Sequence, residues 1–307
     1  MKTTLDFIII GAQKSGTTTL FELLKQHNEI YLPPEKEAPF FGKTDREEKG
    51  WDWYLNEFFS TANETLKWGS ITPQYMAYSK VAEKIYLMNP QIKLIAILRD
   101  PYERAYSHYV MSRRRNYDTR EFIDAIKELS SEKALEESRN ISTEINSYIV
   151  RGEYGRILYE YKKIFGAKNL LILFINELEN DPQKTLDRIC NFLNIKRFKP
   201  EGIGTKFYVG GGAQKNKSVT LLLTKIKGNN SLKWLVKKVV PFKSRRRLWA
   251  QIDQWNIEQK EDDDINEIKN IEESKKYLKS IYDTDALLFE KEFNQAFPWQ
   301  KSLGKSS

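Results

Sequence analysis

A short glycine-bounded loop near the start of the chain has the composition of an anion-binding site. It runs from Gly11 to Gly16, and Lys14 is its cationic residue. The backbone N–H groups of such a loop, together with the positive end of a following helix, bind phosphate-like groups. Serine and threonine hydroxyls supply further hydrogen-bond donors. The candidate residues for this chemistry are Gln13, Lys14, Ser15, Gly16, Thr17, Thr18 and Thr19.

The position of the lysine indicates which anion fits the loop. In P-loop NTPases the loop reads G-x-x-x-x-G-K-S/T, and its lysine and hydroxyl contact the terminal phosphates and magnesium. Here Thr17 stands at the lysine position, and the lysine lies earlier, at Lys14. A short phosphosulfate therefore fits better than a triphosphate, and we expect Lys14 to stabilise the charge that develops when a sulfuryl group leaves. The alternative is a turn that only caps a helix.

A second segment with phosphate-binding chemistry lies at residues 99–107, which read R-D-P-Y-E-R-A-Y-S. Arg99 directly follows an apolar run typical of a strand. Ser107 lies about two helical turns further on, so the two side chains can converge on a dianionic phosphate. The alternative is an ordinary junction between a strand and a helix, with charged side chains on the surface.

As a pair, these two motifs resemble those of the PAPS-dependent sulfotransferase superfamily, over residues 5–193. Residues 12–18 resemble its 5′-phosphosulfate loop, and residues 99–107 resemble its R-x-P-x-x-R-x-x-S segment for the 3′-phosphate. The resemblance implies transfer of a sulfuryl group from 3′-phosphoadenosine 5′-phosphosulfate (PAPS) to a hydroxyl or amine by in-line displacement, without a metal. It also implies that Arg99 and Ser107 bind the cofactor, and that Lys215 or Lys217 covers its adenine nucleotide.

A candidate general base lies in the segment 36–41, K-E-A-P-F-F. It resembles the K-E-x-x-F-F segment of the carbohydrate sulfotransferase branch, which includes heparan sulfate N- and 3-O-sulfotransferases. There the glutamate is the base that deprotonates the acceptor, which implies Glu37 as the catalytic partner of Lys14. Glu35 is the alternative. We expect burial beside the two phenylalanines of this segment to raise the pKa of Glu37.

The acceptor stays open at this point. Residues 70–75 read S-I-T-P-Q-Y, without the glutamate and lysine that the carbohydrate branch has there, which weakens an assignment to a heparan-like acceptor. The aromatic residues of 50–59 could stack on a sugar or belong to the core. His108, beside Ser107, is interpreted as structural. The expected acceptor is a glycan, a glycolipid, or a small alcohol or amine.

Apolar runs and helical periodicity around these motifs predict an α/β fold. We expect a P-loop-like central parallel sheet with helices on both faces and a basic, helical C-terminal portion. The whole chain is expected to form one domain, with a core at about 5–215 and a helical extension at about 216–300. Strands are predicted at residues 5–10, 30–32, 92–98 and 170–175. Helices are predicted at residues 17–27, 77–88, 102–115, 119–129, 144–165, 182–193 and 277–299.

Composition narrows the partners of the chain without identifying them. The 307 residues have a net charge of +8, two histidines and one cysteine, Cys190, so an intramolecular disulfide is excluded and a zinc site is not expected. The first apolar run is too short for a secretory signal, and no run reaches the ~20 apolar residues that span a bilayer. We therefore expect a cytoplasmic location, with peripheral contact to an anionic membrane as an alternative.

The segment 214–247 mixes basic and apolar residues and has no acidic residue. It could contact an anionic membrane or a lipid-linked acceptor, form a groove for a polyanionic glycan, or be a solvated helical face. Charge alone permits nucleic acid, but no motif that reads nucleic acid is present, so we do not expect such a partner.

Two other functions compete with sulfuryl transfer. A P-loop kinase of nucleotides or small molecules requires a lysine directly after Gly16 and a strand that ends in a magnesium-binding aspartate. The first is absent, and the strand at 92–98 is followed by Arg99. A non-catalytic polyanion-binding module would require neither Lys14 nor Glu37.

Overall fold

A five-stranded parallel sheet forms the centre of the molecule, in the order β2-β3-β1-β4-β5. The structure is a computed structural model that describes residues 2–204, 213–214, 257–258 and 265–299. The strands are β1 Phe7–Gly11, β2 Ile30–Tyr31, β3 Lys67–Ile71, β4 Lys93–Leu98 and β5 Leu170–Phe174. This confirms the expected α/β fold with a parallel sheet.

The strand order reverses at β1, which lies between β3 and β4. Phe7 pairs with Gly69 of β3 on one side and with Lys93 of β4 on the other. In open parallel sheets, ligands bind beyond the carboxyl ends of the strands at such a reversal. The glycine loop that follows Gly11 therefore lies at the position where this fold binds its ligand.

Helices cover both faces of the sheet, as the continuous apolar strands require. In β1, Ile8 and Ile10 belong to one buried cluster, whereas Phe7 and Ile9 belong to another on the opposite face. The helices are α1 Thr17–Leu24, α2 Thr44–Glu47, α3 Trp51–Phe59, α4 Ser79–Met88, α5 Pro101–Arg114, α6 Phe122–Leu129, α7 Glu132–Asn140, α8 Tyr154–Phe165, α9 Ile175–Asn180, α10 Pro182–Leu193 and α11 Ile265–Phe293. Short 3₁₀ turns lie at Tyr75–Ala77, Val150–Gly152 and Ala167–Asn169.

The C-terminal helix α11 is built into this core. Leu278 and Tyr282 are buried with residues of α5 and α6, and Phe289 is buried with residues of α3, α4 and α8. The sequence predicts a helix from residue 277, whereas α11 already begins at Ile265. Its first turns are rich in charge and show little apolar periodicity, so that start was missed.

Among the other differences between prediction and structure, two have a clear physical reason. The pattern at 144–165 was interpreted as one helix, but α8 begins only at Tyr154. The Thr143 backbone N–H donates to Asn146 Oδ1 at 2.7 Å, and such local side-chain bonds compete with a helix. Strand β3 was not predicted, because Gly69 weakens its pattern. A Cβ at Gly69 would lie 2.1 Å from the Phe7 ring, so only glycine fits there.

Some of the sequence predictions concern residues that the structure does not describe. Lys215, Lys217 and nearly all of the basic segment 214–247 lie outside the described residues. Ala213–Gln214 and Ile257–Glu258 form a short antiparallel pair, β6 and β7. Within the described ranges, no helix has the length and apolarity needed to cross a membrane, and no cluster of His, Cys, Asp or Glu is suited to a metal ion.

Candidate active site

The loop from Ala12 to Gly16 connects β1 to α1 at the carboxyl edge of the sheet. The backbone N–H of Ala12 donates to Ile97 O at 2.7 Å, which ties the loop to β4. Lys14 and Gly16 have positive φ angles of 72° and 85°. This left-handed backbone turns the chain sharply into the helix and explains the glycine at position 16.

Helix α1 begins directly after the loop and has no acidic residue in its first turn. Gly16 is its N-cap and has no side chain to accept from the first N–H groups, which lack partners within a helix. Ser15 and Thr17 are buried under the loop, and Thr18 and Thr19 are half-buried. The predicted hydroxyl-rich residues thus surround a helix N-terminus that is suited to an anion.

Arg99 directly follows the neighbouring strand β4, and Ser107 lies in the helix α5 that comes next. The Arg99 guanidinium Nη1 lies 3.5 Å from the carbonyl oxygen of Lys14, and its Nε donates to Glu103 at 2.9 Å. Ser107 is half-buried in α5, whose N-terminus is capped by the Asp100 carboxylate. The structure therefore brings Arg99 to the glycine loop and places Ser107 on the adjoining helix.

Lys14 lies among other cations. Burial lowers the pKa of Lys14, and repulsion by four nearby positive charges lowers it further, to about 8. Like charges held together in this way indicate a site that is organised for an anion. The four charges belong to Arg114, Arg115, Arg99 and Lys36.

Glu37 is the acidic side chain that faces this cationic group. The Lys36 ammonium lies 3.0 Å from Glu37 Oε1, and the Gln74 amide donates to Glu37 Oε2 at 3.1 Å. Lys36 and Arg115 act electrostatically on both Glu37 and Lys14, so these side chains share one region. The structure thus brings the predicted base and the predicted lysine together.

The expected rise in the pKa of Glu37 was wrong in direction. Burial does raise this pKa, but the charge of Lys36, hydrogen bonds from Gln74 and Lys36, and the charge of Arg115 together outweigh it. The pKa of Glu37 therefore lies below its ordinary value. The side chain keeps 39% of its surface exposed, since the neighbouring phenylalanines turn into the core instead.

The segment around Glu37 is anchored by buried tyrosines. The Tyr75 hydroxyl accepts from the backbone N–H groups of Phe40 and Phe41 at 2.6 and 3.1 Å. The Tyr54 hydroxyl donates to Ala38 O at 2.9 Å. The altered segment 70–75 therefore still holds the segment that contains Glu37. The 50–59 segment serves mainly as core, because its buried residues include Tyr54, Leu55, Phe58 and Phe59.

Comparison with known proteins identifies the family to which the chain belongs. The family model described as the sulfotransferase domain matches residues 4–205, about two thirds of the chain. The chain belongs to this sulfotransferase family. The match includes the glycine loop, the segment around Glu37 and the Arg99 segment.

Curated relatives of this sulfotransferase are enzymes with heparan sulfate in their names. The bifunctional heparan sulfate N-deacetylase/N-sulfotransferase 1 of Mus musculus is 29% identical over 202 residues, covering 61% of this chain and 22% of that protein. The heparan sulfate glucosamine 3-O-sulfotransferase 5 of Mus musculus is 28% identical, covering 61% of this chain and 53% of that protein. The chain thus spans about a fifth and about half of these two relatives.

A solved structure confirms the fold of this sulfotransferase. The sulfotransferase from Alicyclobacillus acidocaldarius superposes with a TM-score of 0.64 and 19% identity, covering 98% of this chain and 100% of that chain. At this identity, the likeness concerns the fold alone.

His108 has a structural position in this sulfotransferase, which agrees with its interpretation from the sequence. It is fully buried, and burial lowers the pKa of its imidazole to about 3, so the ring is neutral. Its Nε2 lies 3.2 Å from Glu144 Oε2, and since Glu144 is ionised, Nε2 donates. The other ring nitrogen, Nδ1, is buried, so it is not accessible to an acceptor as a base.

Several residues near the site were missed in the sequence. Lys36 adjoins Glu37, and Gln74 lies in the segment that departs from the family pattern. Arg114 ends α5 and Arg115 directly follows it, within three consecutive arginines that could have been noticed. The Arg151 guanidinium donates to Gln13 Oε1 at 2.7 Å, and this contact between residues distant in sequence was not predicted.

Proposed function

We propose that this sulfotransferase transfers a sulfuryl group from PAPS to a hydroxyl or amine of a carbohydrate or glycolipid, with Glu37 as general base. The observation that supports this most is that Lys14 and Glu37 lie near the same two cations, Lys36 and Arg115. A lysine in the phosphate loop and a carboxylate lie within the same group of cations.

The residues of the site fit the chemistry of PAPS. Its phosphosulfate needs hydrogen-bond donors and positive charge, which the loop, the N-terminus of α1 and Lys14 provide. Its 3′-phosphate needs a second group of donors, for which the Arg99 guanidinium supplies positive charge and Ser107 a hydroxyl. Residues 13–19 would form the first part of this site.

The roles of the side chains follow from their charges. PAPS supplies the sulfuryl group. Lys14 neutralises negative charge on the departing phosphate oxygen, where fixed positive charge stabilises the transition state most. Glu37 takes the proton from the attacking hydroxyl or amine. Its lowered pKa ensures that it is ionised near neutral pH.

The contacts support Glu37 over Glu35 as the base. Lys36 and Arg115 act electrostatically on both Glu37 and Lys14. The Gln74 amide also donates to Glu37 Oε2 at 3.1 Å. A base must lie close to the group that stabilises the leaving oxygen, because attack and departure occur on opposite sides of one sulfur atom.

A carbohydrate acceptor is supported by the relatives, which are heparan sulfate sulfotransferases by name. We propose a hydroxyl or amine of a glycan or glycolipid as the acceptor. The cations beside Glu37 suit an acceptor that is neutral or negatively charged.

The test compares Glu37→Gln with the matched variant Glu35→Gln. We expect Glu37→Gln to bind 3′-phosphoadenosine 5′-phosphate like the wild type in calorimetry, but to lose transfer of radiolabelled sulfate to cell glycans and lipids by about 100-fold or more. Glu35→Gln should keep transfer. Unchanged transfer by Glu37→Gln would exclude it as the base, and tighter binding of ATP–magnesium than of the sulfated nucleotide would contradict the donor.

A further inference from the structure

We infer that Arg151 is a positioning residue that orients Gln13 of the phosphate loop and couples the loop to α5. The inference rests on the proposed function, because Gln13 is one of the residues proposed to bind PAPS. Arg151 follows α7 and lies in the 3₁₀ turn Val150–Gly152, far from the loop in sequence.

The contacts of Arg151 are short and buried. Its Nη1 donates to Gln13 Oε1 at 2.7 Å and to Glu144 Oε1 at 3.2 Å. Its Nε donates to Ser142 at 3.1 Å, and its Nη2 lies 3.4 Å from the Tyr78 hydroxyl. Only 4% of Arg151 is exposed, so the guanidinium itself is largely shielded from water.

The chemistry of the guanidinium fixes the orientation of the Gln13 amide. Arginine has only donors, so Gln13 must present its carbonyl oxygen to Arg151. The NH₂ group of Gln13 then faces away from Arg151 and remains a donor for an anion at the loop. If Arg151 were removed, the amide could rotate and present an acceptor oxygen instead, which would repel a phosphate.

The same arginine connects the loop to the helix that contains Ser107. Glu144, which pairs with Arg151, also accepts from His108 Nε2 at 3.2 Å, and its backbone oxygen accepts from Ser112 at 3.0 Å. His108 and Ser112 belong to α5. Arg151 and Glu144 thus link the two parts of the proposed nucleotide site through an ion pair between a buried arginine and a half-buried carboxylate.

The contacts of Arg151 favour a role in orienting Gln13 over direct contact with PAPS. Each nitrogen of the Arg151 guanidinium already has a protein partner. Four of its five N–H donors contact protein atoms and the side chain is buried, so we expect its effect on PAPS to act through Gln13. A role that acts through Gln13 disappears once Gln13 is replaced, whereas a purely structural role does not.

The experiment is a double-mutant cycle of Arg151→Met and Gln13→Met, with Arg197→Met as control, since Arg197 is exposed and pairs with Asp187 at 3.5 Å. We expect each single variant to weaken binding of 3′-phosphoadenosine 5′-phosphate about tenfold and to raise the KM for PAPS more than it lowers kcat. The double variant should bind within about twofold of Gln13→Met. Arg151→Lys should restore part of the affinity.

Hydrogen exchange of the free protein supplies a readout that needs no ligand. Exchange of the backbone amides at 11–19 should rise about fivefold in Arg151→Met and stay unchanged in Arg197→Met. Additive losses of affinity, or unchanged exchange at 11–19, would overturn the role of Arg151. If the wild type did not bind the nucleotide, the proposed function would fail, and the exchange result would still decide whether Arg151 positions the loop. Gln13 is half-buried in a loop, so its variant keeps the test possible if Arg151→Met does not fold.

Discussion

At the scale of single residues, the site is defined by charges that repel one another in the absence of a ligand. Burial and the charges of Arg114, Arg115, Arg99 and Lys36 lower the pKa of Lys14, while Lys36 and Arg115 help to lower that of Glu37. The same cations therefore keep Glu37 ionised and make Lys14 easier to deprotonate. An anion relieves this repulsion and raises the pKa of Lys14 again.

This crowding predicts a pH-dependent affinity. Lys14 attracts an anion only when it is protonated, and its pKa in the free protein is about 8. The affinity for 3′-phosphoadenosine 5′-phosphate should therefore be constant from about pH 7 to 8, and then fall by up to about tenfold per unit at higher pH. Calorimetry across pH 7–10 measures this. In Lys14→Arg the guanidinium stays charged, so the decline should vanish. An equally steep decline in that variant would contradict the assignment to Lys14.

At the scale of elements, α8 depends on a cap from a distant helix. The Asp285 carboxylate of α11 accepts from the backbone N–H groups of Gly155 and Arg156 at 2.7 and 2.8 Å. A Cβ at Gly155 would lie 2.2 Å from the backbone oxygen of Asp285, so glycine permits this close approach. Burial nevertheless raises the pKa of Asp285 to about 6, although the two hydrogen bonds lower it.

The raised pKa predicts how this junction responds to pH. The unfolded carboxyl group ionises near pH 4, before the folded one, so the folded state binds the extra proton between about pH 4 and 6. Stability should therefore decrease as pH rises through this window, by up to about 3 kcal/mol. Urea unfolding should show that Asp285→Asn lacks this decrease, whereas the control Asp283→Asn, whose carboxylate pairs with Lys279 on the surface, retains it. Equal slopes in both variants would argue against the role of Asp285.

At the scale of the whole molecule, one core joins the part matched by the sulfotransferase family to the C-terminal helix. The match ends at residue 205, yet α11 packs on α5, α6 and α8. Phe289 is fully buried in the cluster that contains Ile8 and Ile10 of the central strand β1. The helix therefore belongs to the structure that supports the site.

Neighbouring residues of α11 test this packing. Phe289 has no exposed surface, whereas Leu287 keeps 63% of its surface exposed. Phe289→Ala should lower the free energy of unfolding by about 3–5 kcal/mol, because it leaves a cavity in the core. Leu287→Ala should change it by less than about 0.5 kcal/mol. Urea unfolding measures both, and similar losses in the two variants would mean that α11 does not dock as described.

Local patterns were sufficient for the elements that position the phosphate site. Strands β1 and β4 are continuous apolar runs, because a parallel sheet is buried on both faces. Helix α10 was predicted with its observed bounds, Pro182–Leu193, and in the structure Asp181 caps it and Pro182 occupies its first turn. The loop and the Arg99 segment were recognised because their residue types and spacing are local properties of the chain.

Long-range contacts decided the rest. Gly69 reads as a strand breaker until Phe7 is seen to occupy the space of its side chain. Lys36, the sequence neighbour of Glu37, lowers the pKa of Glu37 most, and Gln74 and Arg115, which are distant in sequence, lower it further, so burial alone gave the wrong direction. The sequence by itself determined a parallel α/β fold with a phosphosulfate-type loop. Only the tertiary structure decided which cations lie near Lys14 and Glu37 and which arginine contacts Gln13, because electrostatics and packing depend on distances in space.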